Sequence, residues 1–395
     1  MTRTLITLPG LIDCHVHFRE PGMEHKGTMA TESAAAYAGG VRTVCEMPNT
    51  NPPTVSIEAF QDKVRRAEKI HDVDIRFFFG ATEAGHIQEF RKAWSMPELR
   101  KRLVGMKIFF DHSTGDQGAA YDVIEGAFKL CASLGAPLVA HCEDAAINAE
   151  ARELMLDQVS EATDVSLHSL MRPCASEARA IEQALSLTRT YGTQFHIAHL
   201  STALGIELVR DAKKEGLPVT CEVTPHHLFL TIDDYETLSA RGKMNPPLRT
   251  AQEQKALWQG IADGTVDCIG TDHAPHLLQE KESGNPLAAP SGVPGTETML
   301  PLLLTVVAGG WPHPNGKSQT GNAKISMDDL RRLCFTNPNR IFNLNAPEEE
   351  VLQIDTTAEW EIHGEELHSK CGWTPYEGWR VRGLLRESQQ CKHTA

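Results

Sequence analysis

Residues 11–17 read LIDCHVH, an apolar run of strand length that closes on side chains able to do chemistry. Seven further runs follow the same plan: VRTVCEMPN (41–49), DIRFFFGAT (74–82), VGMKIFF (104–110), PLVAHCE (137–143), QFHIAHLS (194–201), PVTCEVTPHH (218–227) and VDCIGTDHAPH (266–276). Stretches of helical composition lie between them, such as TMATESAAAYAGG (28–40) after the first and STALGIELVRDAKKEG (201–216) after the sixth. The order is therefore strand then helix, repeated. Near-continuous apolar strands belong to a parallel sheet buried on both faces. Eight such units predict an α/β fold closed into a (β/α)8 barrel of the TIM type, in which the polar strand ends all meet at one mouth.

Beyond about residue 345 the alternation stops. Residues 1–345 are read as the barrel and 346–395 as a small C-terminal appendage packing on it, since WEIHGEELHSKCGWTPYEGWRVRG (360–383) suggests short extended pieces joined by turns. Little chain precedes the first barrel strand, so a flanking sandwich has to come mainly from the tail. Two connections stand out: 145–174 after the fifth strand, and the Gly- and Pro-rich 277–295 after the eighth. Long connections at a catalytic face are commonly functional.

A content of 41% hydrophobic and 23% charged residues fits a folded globular chain and excludes disordered or fibrous classes. The net charge of -14, with no basic run, argues against nucleic-acid binding. No stretch approaches the roughly 20 apolar residues of a membrane helix, and MTRTLITLPG lacks the apolar core of a secretory signal. The expected compartment is the cytoplasm. Ten cysteines are scattered without a C-x-x-C pair, which suits reduced thiols. Cys45 and Cys268, inside apolar runs, read as small buried hydrophobes, and no cysteine is assigned a catalytic role.

His15 and His17 alternate at the end of the first strand and share a face, a spacing that can grip one cation but that also fits ordinary packed histidines. His141 and His199 end the fifth and sixth strands, and Asp272 ends the eighth in GTDH. Imidazoles and a carboxylate gathered at one barrel mouth are the borderline N and O donors that divalent metals take. Lys107 ends the fourth strand at the same mouth. It could snorkel to water or pair with a carboxylate; as a neutral amine it could instead take up carbon dioxide and become a bridging carbamate.

Together HVHFREPG (15–22), MPNTNPPT (47–54), MKIFF (106–110), VAHCED (139–144), HIAHLS (196–201), TPHHLFL (224–230), MNPPLR (244–249), TDHAPH (271–276) and GVPGTETMLPLLLT (292–305) resemble the dihydroorotases of the amidohydrolase superfamily. The resemblance runs from about residue 8 to 345, and WTPYEG (373–378) is similar to the tail of dihydroorotases found in multifunctional pyrimidine-pathway complexes. It implies a binuclear metal centre with a bridging hydroxide, zinc being the usual ion. His15, His17 and Asp272 would hold the more buried metal, His141 and His199 the more exposed one, and carboxylated Lys107 would bridge them. Asp272 would also move the proton. Arg19, Asn49 and His276 would grip the exocyclic carboxylate of the substrate, while Asn245 and the backbone at Pro294 and Gly295 would meet the ring amide and carbonyls. The implied reaction is reversible cyclisation of N-carbamoyl-L-aspartate to L-dihydroorotate in pyrimidine biosynthesis. A homodimer and a place in a pyrimidine-pathway enzyme complex are implied as partners.

Two rivals remain. A hydantoinase or allantoinase would share barrel and metals, but its pocket takes neutral rings, where an unpaired buried guanidinium such as Arg19 is costly. A non-catalytic scaffold homologue would typically have lost metal ligands, and none of the six is missing. Asp111 and His112, in IFFDHSTGD (108–116), are further potential ligands. Asp111 could replace carboxylated Lys107 as the bridge, and Ser113, Thr114 and Gly115 suggest a lid.

Overall fold

The computed structural model describes residues 5–111, 118–158, 164–314 and 324–386. His112, Ser113, Thr114 and Gly115 lie outside the described residues. Among the described residues eleven strands form two sheets: β1 (Leu5–Pro9), β2 (Leu11–Val16), β3 (Val41–Glu46), β4 (Asp74–Gly80), β5 (Leu103–Phe109), β6 (Leu138–His141), β7 (Phe195–Ile197), β8 (Val219–Val223), β9 (Cys268–Ile269), β10 (Val351–Glu361) and β11 (Arg380–Arg386). β2 to β9 pair in sequence order, all parallel. Each of the eight sequence runs supplies one of them. The ring closes where Val16 bridges His273 and the His17 N–H donates to the His273 carbonyl at 2.7 Å.

Successive side chains of a strand face opposite sides of the sheet, so a barrel has two cores. In FFF (77–79), Phe77 and Phe79 pack outward under the helices while Phe78 points into the barrel. The inner core also holds Ile12, Cys14, Cys45, Met47, Val104, Val139, Ala198 and Cys268, and Phe335, Phe342 and Leu344 plug its N-terminal end. The helices read between strands are present, Met29–Ala38 capped by the Thr28 hydroxyl and Ala203–Lys214 capped by that of Thr202. The 145–174 connection carries helices Ala145–Gln158 and Leu167–Met171.

The tail contributes two strands to a separate antiparallel sheet, in the order β1-β10-β11. The short N-terminal segment thus supplies one of its three strands, because Leu5–Pro9 runs beside β10 in register from Leu5 opposite Asp355 to Pro9 opposite Val351. β11 lies against the apolar helix Met299–Val307, with the Arg382 N–H donating to the Thr305 hydroxyl at 2.8 Å. Nine cysteines lie among the described residues, all as free thiols.

Candidate metal centre and substrate pocket

Strict alternation from Ile12 and Cys14, both inside the barrel, would aim Val16 inward and send His15 and His17 out among the helices. The β2–β3 register shifts between Asp13 and Val16, and an extra residue in a strand re-aims the side chains beyond it. Val16 accordingly joins the outer core, and both histidines turn to the mouth. His17 Nε2 lies 2.9 Å and His15 Nε2 3.3 Å from one Asp272 oxygen. Donor atoms of His15, His199 and Asp272 lie within 4.8 Å of one another. His141 Nδ1 faces His199 Nε2 at 3.0 Å.

Arg19, His199 and Asp272 have positive φ, at 67°, 35° and 48°. Left-handed backbone costs a non-glycine residue of order 1–3 kcal/mol and tends to gather where function demands a particular aim.

The donor set fits divalent cations. His15 Nδ1 bonds the Glu222 carboxylate, which leaves Nε2 as the ring nitrogen aimed into the site. It faces an Asp272 oxygen, and together these are donor atoms that one divalent cation can hold. Burial pushes Asp272 upward, but the imidazoles of His15 and His17 outweigh it and hold the carboxyl well below its ordinary range. Burial lowers His17 to about 4, the Asp272 carboxylate opposing. It also pushes His141 and His199 down. Neutral imidazoles and an ionised carboxylate are the protonation states a metal requires. His199 Nδ1 and Lys107 Nζ are buried without a hydrogen-bond partner among the described residues, and burial lowers Lys107 to about 8.

Several residues of this site escaped the sequence reading. Glu222 on β8 receives His15, His196 Nε2 at 3.2 Å and the His199 N–H at 3.1 Å. Glu143 receives the His141 Nε2–H at 2.8 Å, turning Nδ1 toward His199. Arg172 clasps Glu143 at 2.6 Å and reaches Asp111 at 3.0 Å; Asp111 also accepts from Asn148 at 2.7 Å. Burial raises Glu143, yet Arg172 prevails and leaves it far below the usual carboxylate range. Carboxylates behind metal-binding histidines fix ring orientation and tautomer. The signal for Glu222 was a charge between Cys221 and Val223, in a strand otherwise uncharged.

Arg19 is buried, its Nε donating to the Pro275 carbonyl at 3.0 Å and Nη2 lying 3.0 Å from His276 Nε2. Among the described residues no carboxylate pairs with it, and burial lowers it to about 10. Asn49 is buried with its Oδ1 unpartnered among the described residues. The Asn245 Oδ1 accepts from His168 Nε2 at 2.8 Å, which fixes the amide. At the turn after Pro294 the Gly295 N–H is given to His273 Nδ1 at 3.0 Å; His273 Nε2 bonds Glu32 at 2.8 Å.

The model of the amidohydrolase family matches residues 6–310. The chain is 39% identical over 388 residues to a dihydroorotase of Methanosarcina acetivorans, covering 94% of this chain and 78% of the relative. It is 38% identical over 380 residues to a dihydroorotase of Halobacterium salinarum, covering 94% and 82%. It is also 34% identical over 385 residues to the multifunctional protein CAD of Squalus acanthias, of which it spans only 14%. Among solved structures, an L-hydantoinase (dihydropyrimidinase) from Arthrobacter aurescens superposes with a TM-score of 0.86 at 27% identity, covering 96% of this chain and 83% of that one. A dihydropyrimidinase from Brevibacillus agri, at 22% identity and a TM-score of 0.84 over 96% and 82%, shares the fold.

Proposed function

Because this chain belongs to the amidohydrolase family and groups there with the dihydroorotases, we propose that the cluster at its barrel mouth is a dihydroorotase centre. The enzyme is a hydrolase of cyclic amides that interconverts N-carbamoyl-L-aspartate and L-dihydroorotate. The observation that carries the substrate assignment is Arg19, a buried guanidinium that forms no direct ion pair with a described carboxylate. An unpaired buried cation is costly, and a ligand carboxylate relieves that cost, whereas the neutral ring of a hydantoinase substrate does not.

Two divalent cations, zinc by family habit, are assigned to His15, His17 and Asp272 on one side and to His141 and His199 on the other. Carboxylated Lys107 would be the ligand they share. What supports this assignment is the set of facing donor atoms and an amine without a hydrogen-bond partner among the described residues; Asp111, already held by Arg172 and Asn148, is the weaker candidate for the bridge. Such a cation pair supplies Lewis acidity, making water a nucleophile near neutral pH and drawing electron density from a carbonyl. Arg19, Asn49 and His276 bind the exocyclic carboxylate, and Asn245 with the backbone at Pro294 and Gly295 faces the ring amide. Asp272, kept ionised by its histidines, accepts the proton of the attacking water and delivers it to the departing ring nitrogen. Ring closure reverses these steps and consumes one proton. A homodimer in the cytoplasm is proposed as well, and kinship with CAD supports a place beside other pyrimidine-pathway enzymes.

The test is turnover of L-dihydroorotate by metal-loaded protein beside hydantoin, dihydrouracil and allantoin. Preference for dihydroorotate, cut at least about 100-fold in kcat/KM by Arg19→Ala, is expected. Preference for a neutral ring would move the assignment to the hydantoinases.

A further inference from the structure

His276 is surrounded by more donors than a neutral imidazole can receive. Its Nδ1 lies 3.0 Å from the Lys26 ammonium. Its Nε2 lies 3.0 Å from the Ser291 carbonyl and 3.0 Å from Arg19 Nη2. An ammonium and a guanidinium only donate, and a carbonyl only accepts. Lys26 therefore requires a bare Nδ1, which places the ring proton on Nε2, where it donates to Ser291. A second proton on Nδ1 would confront the ammonium, and the ring's depressed basicity, caused first by burial and then by Arg19 and Lys26, agrees with that.

With Nε2 protonated, Arg19 Nη2 faces a donor and has nothing to give its hydrogen to on that side. The guanidinium N–H is thus an open donor beside the ring N–H, and a carboxylate arriving next to the Ser291 carbonyl can share that ring hydrogen in a three-centre bond while accepting from Arg19. The opposite tautomer would close this pair, because a bare Nε2 would take the Arg19 hydrogen and turn a lone pair toward any arriving carboxylate. An acceptor for that tautomer is at hand: the Glu280 carboxylate lies 4.0 Å from His276 Nδ1 and is now engaged by Lys26 at 3.0 Å.

We propose that Lys26 is a positioning residue for substrate binding. By occupying His276 Nδ1 and neutralising Glu280 it holds the imidazole in the Nε2–H tautomer, so that His276 and Arg19 together present two donors to the substrate carboxylate. The role of the pair as carboxylate receptor rests on the dihydroorotase reading; the tautomer lock does not.

The experiment is a long-range 15N–1H spectrum of the full chain labelled at histidine, with the His276 signal assigned through His276→Gln, together with steady-state kinetics on dihydroorotate. The wild type should show the Nε2–H tautomer. Lys26→Met should move the proton to Nδ1 and raise KM by about tenfold or more while kcat stays within about twofold, and Lys26→Arg should restore both. An Nδ1–H ring in the wild type overturns the proposal without any variant. So does a Lys26→Met protein whose tautomer and KM are unchanged. A wild type that carries the Nε2–H ring yet fails to turn over dihydroorotate would sink the substrate reading and leave the lock standing.

Discussion

Lys107 makes a chemical demand that no described neighbour meets: a buried amine without a hydrogen-bond partner among the described residues, beside side chains that would hold cations. Only its neutral form can attack carbon dioxide, and burial brings its midpoint down to about 8. Raising pH through that value increases the neutral fraction. Metal-free, carbon-dioxide-free protein should therefore regain activity on adding bicarbonate and zinc faster at pH 8.5 than at pH 6.5, by roughly 25-fold, following the neutral-amine fraction. Stopped-assay recovery at fixed dissolved carbon dioxide measures this; a recovery rate independent of pH, or full activity in Lys107→Ala, would remove the carbamate from the assignment. The candidate ligands were legible because each closes an apolar run. Glu222, Glu143, His168 and Lys26 were not. Their roles depend on a partner distant in the chain, as Glu222 on His15 and His168 on Asn245, and a lone charge in a sequence looks the same whether it is solvated or braces an imidazole.

At the scale of elements, the strand-helix alternation carried the barrel, since burial on both faces leaves a sheet strand apolar throughout. The same property hid which face each residue takes. The shift between Asp13 and Val16 that aims His15 and His17 inward has no composition signature, and β9 is only Cys268–Ile269 inside a longer apolar run. Close approach of elements is equally silent. Gly383 on β11 has φ +94°, and a Cβ there would lie 2.3 Å from Leu304 Cδ1 on the helix beneath. Gly383→Ala combines left-handed backbone with overpacking and should cost about 2–4 kcal/mol. Urea denaturation would show it, and a midpoint within error of wild type would mean that strand and helix are not packed as described.

Across the whole molecule the tail reaches further than its place in the chain suggests. We propose that residues 346–395 form an appendage to the barrel of 1–345 rather than a unit that folds alone, since β10 and β11 take β1 as their third strand and bury Leu352, Ile354 and Val381 against the barrel side. Between those strands the chain reaches the face of the proposed pocket. Ser369 Oγ donates to Glu32 at 2.6 Å, Glu32 holds His273, and His273 receives the Gly295 N–H. Trp373 Nε1 donates to the His276 carbonyl at 2.7 Å. A purely scaffolding tail would let mutations here lower stability and leave binding alone. The wiring predicts otherwise: Trp373→Phe keeps most of the buried ring but strands the His276 carbonyl, a loss of about 1–3 kcal/mol placed directly behind the residue proposed to receive the substrate carboxylate. KM for dihydroorotate should rise by about 5-fold or more with a smaller change in kcat, while metal content stays at the wild-type level. If the variant loses thermal stability but keeps its KM, the tail is scaffold only, and the pocket belongs to the barrel alone.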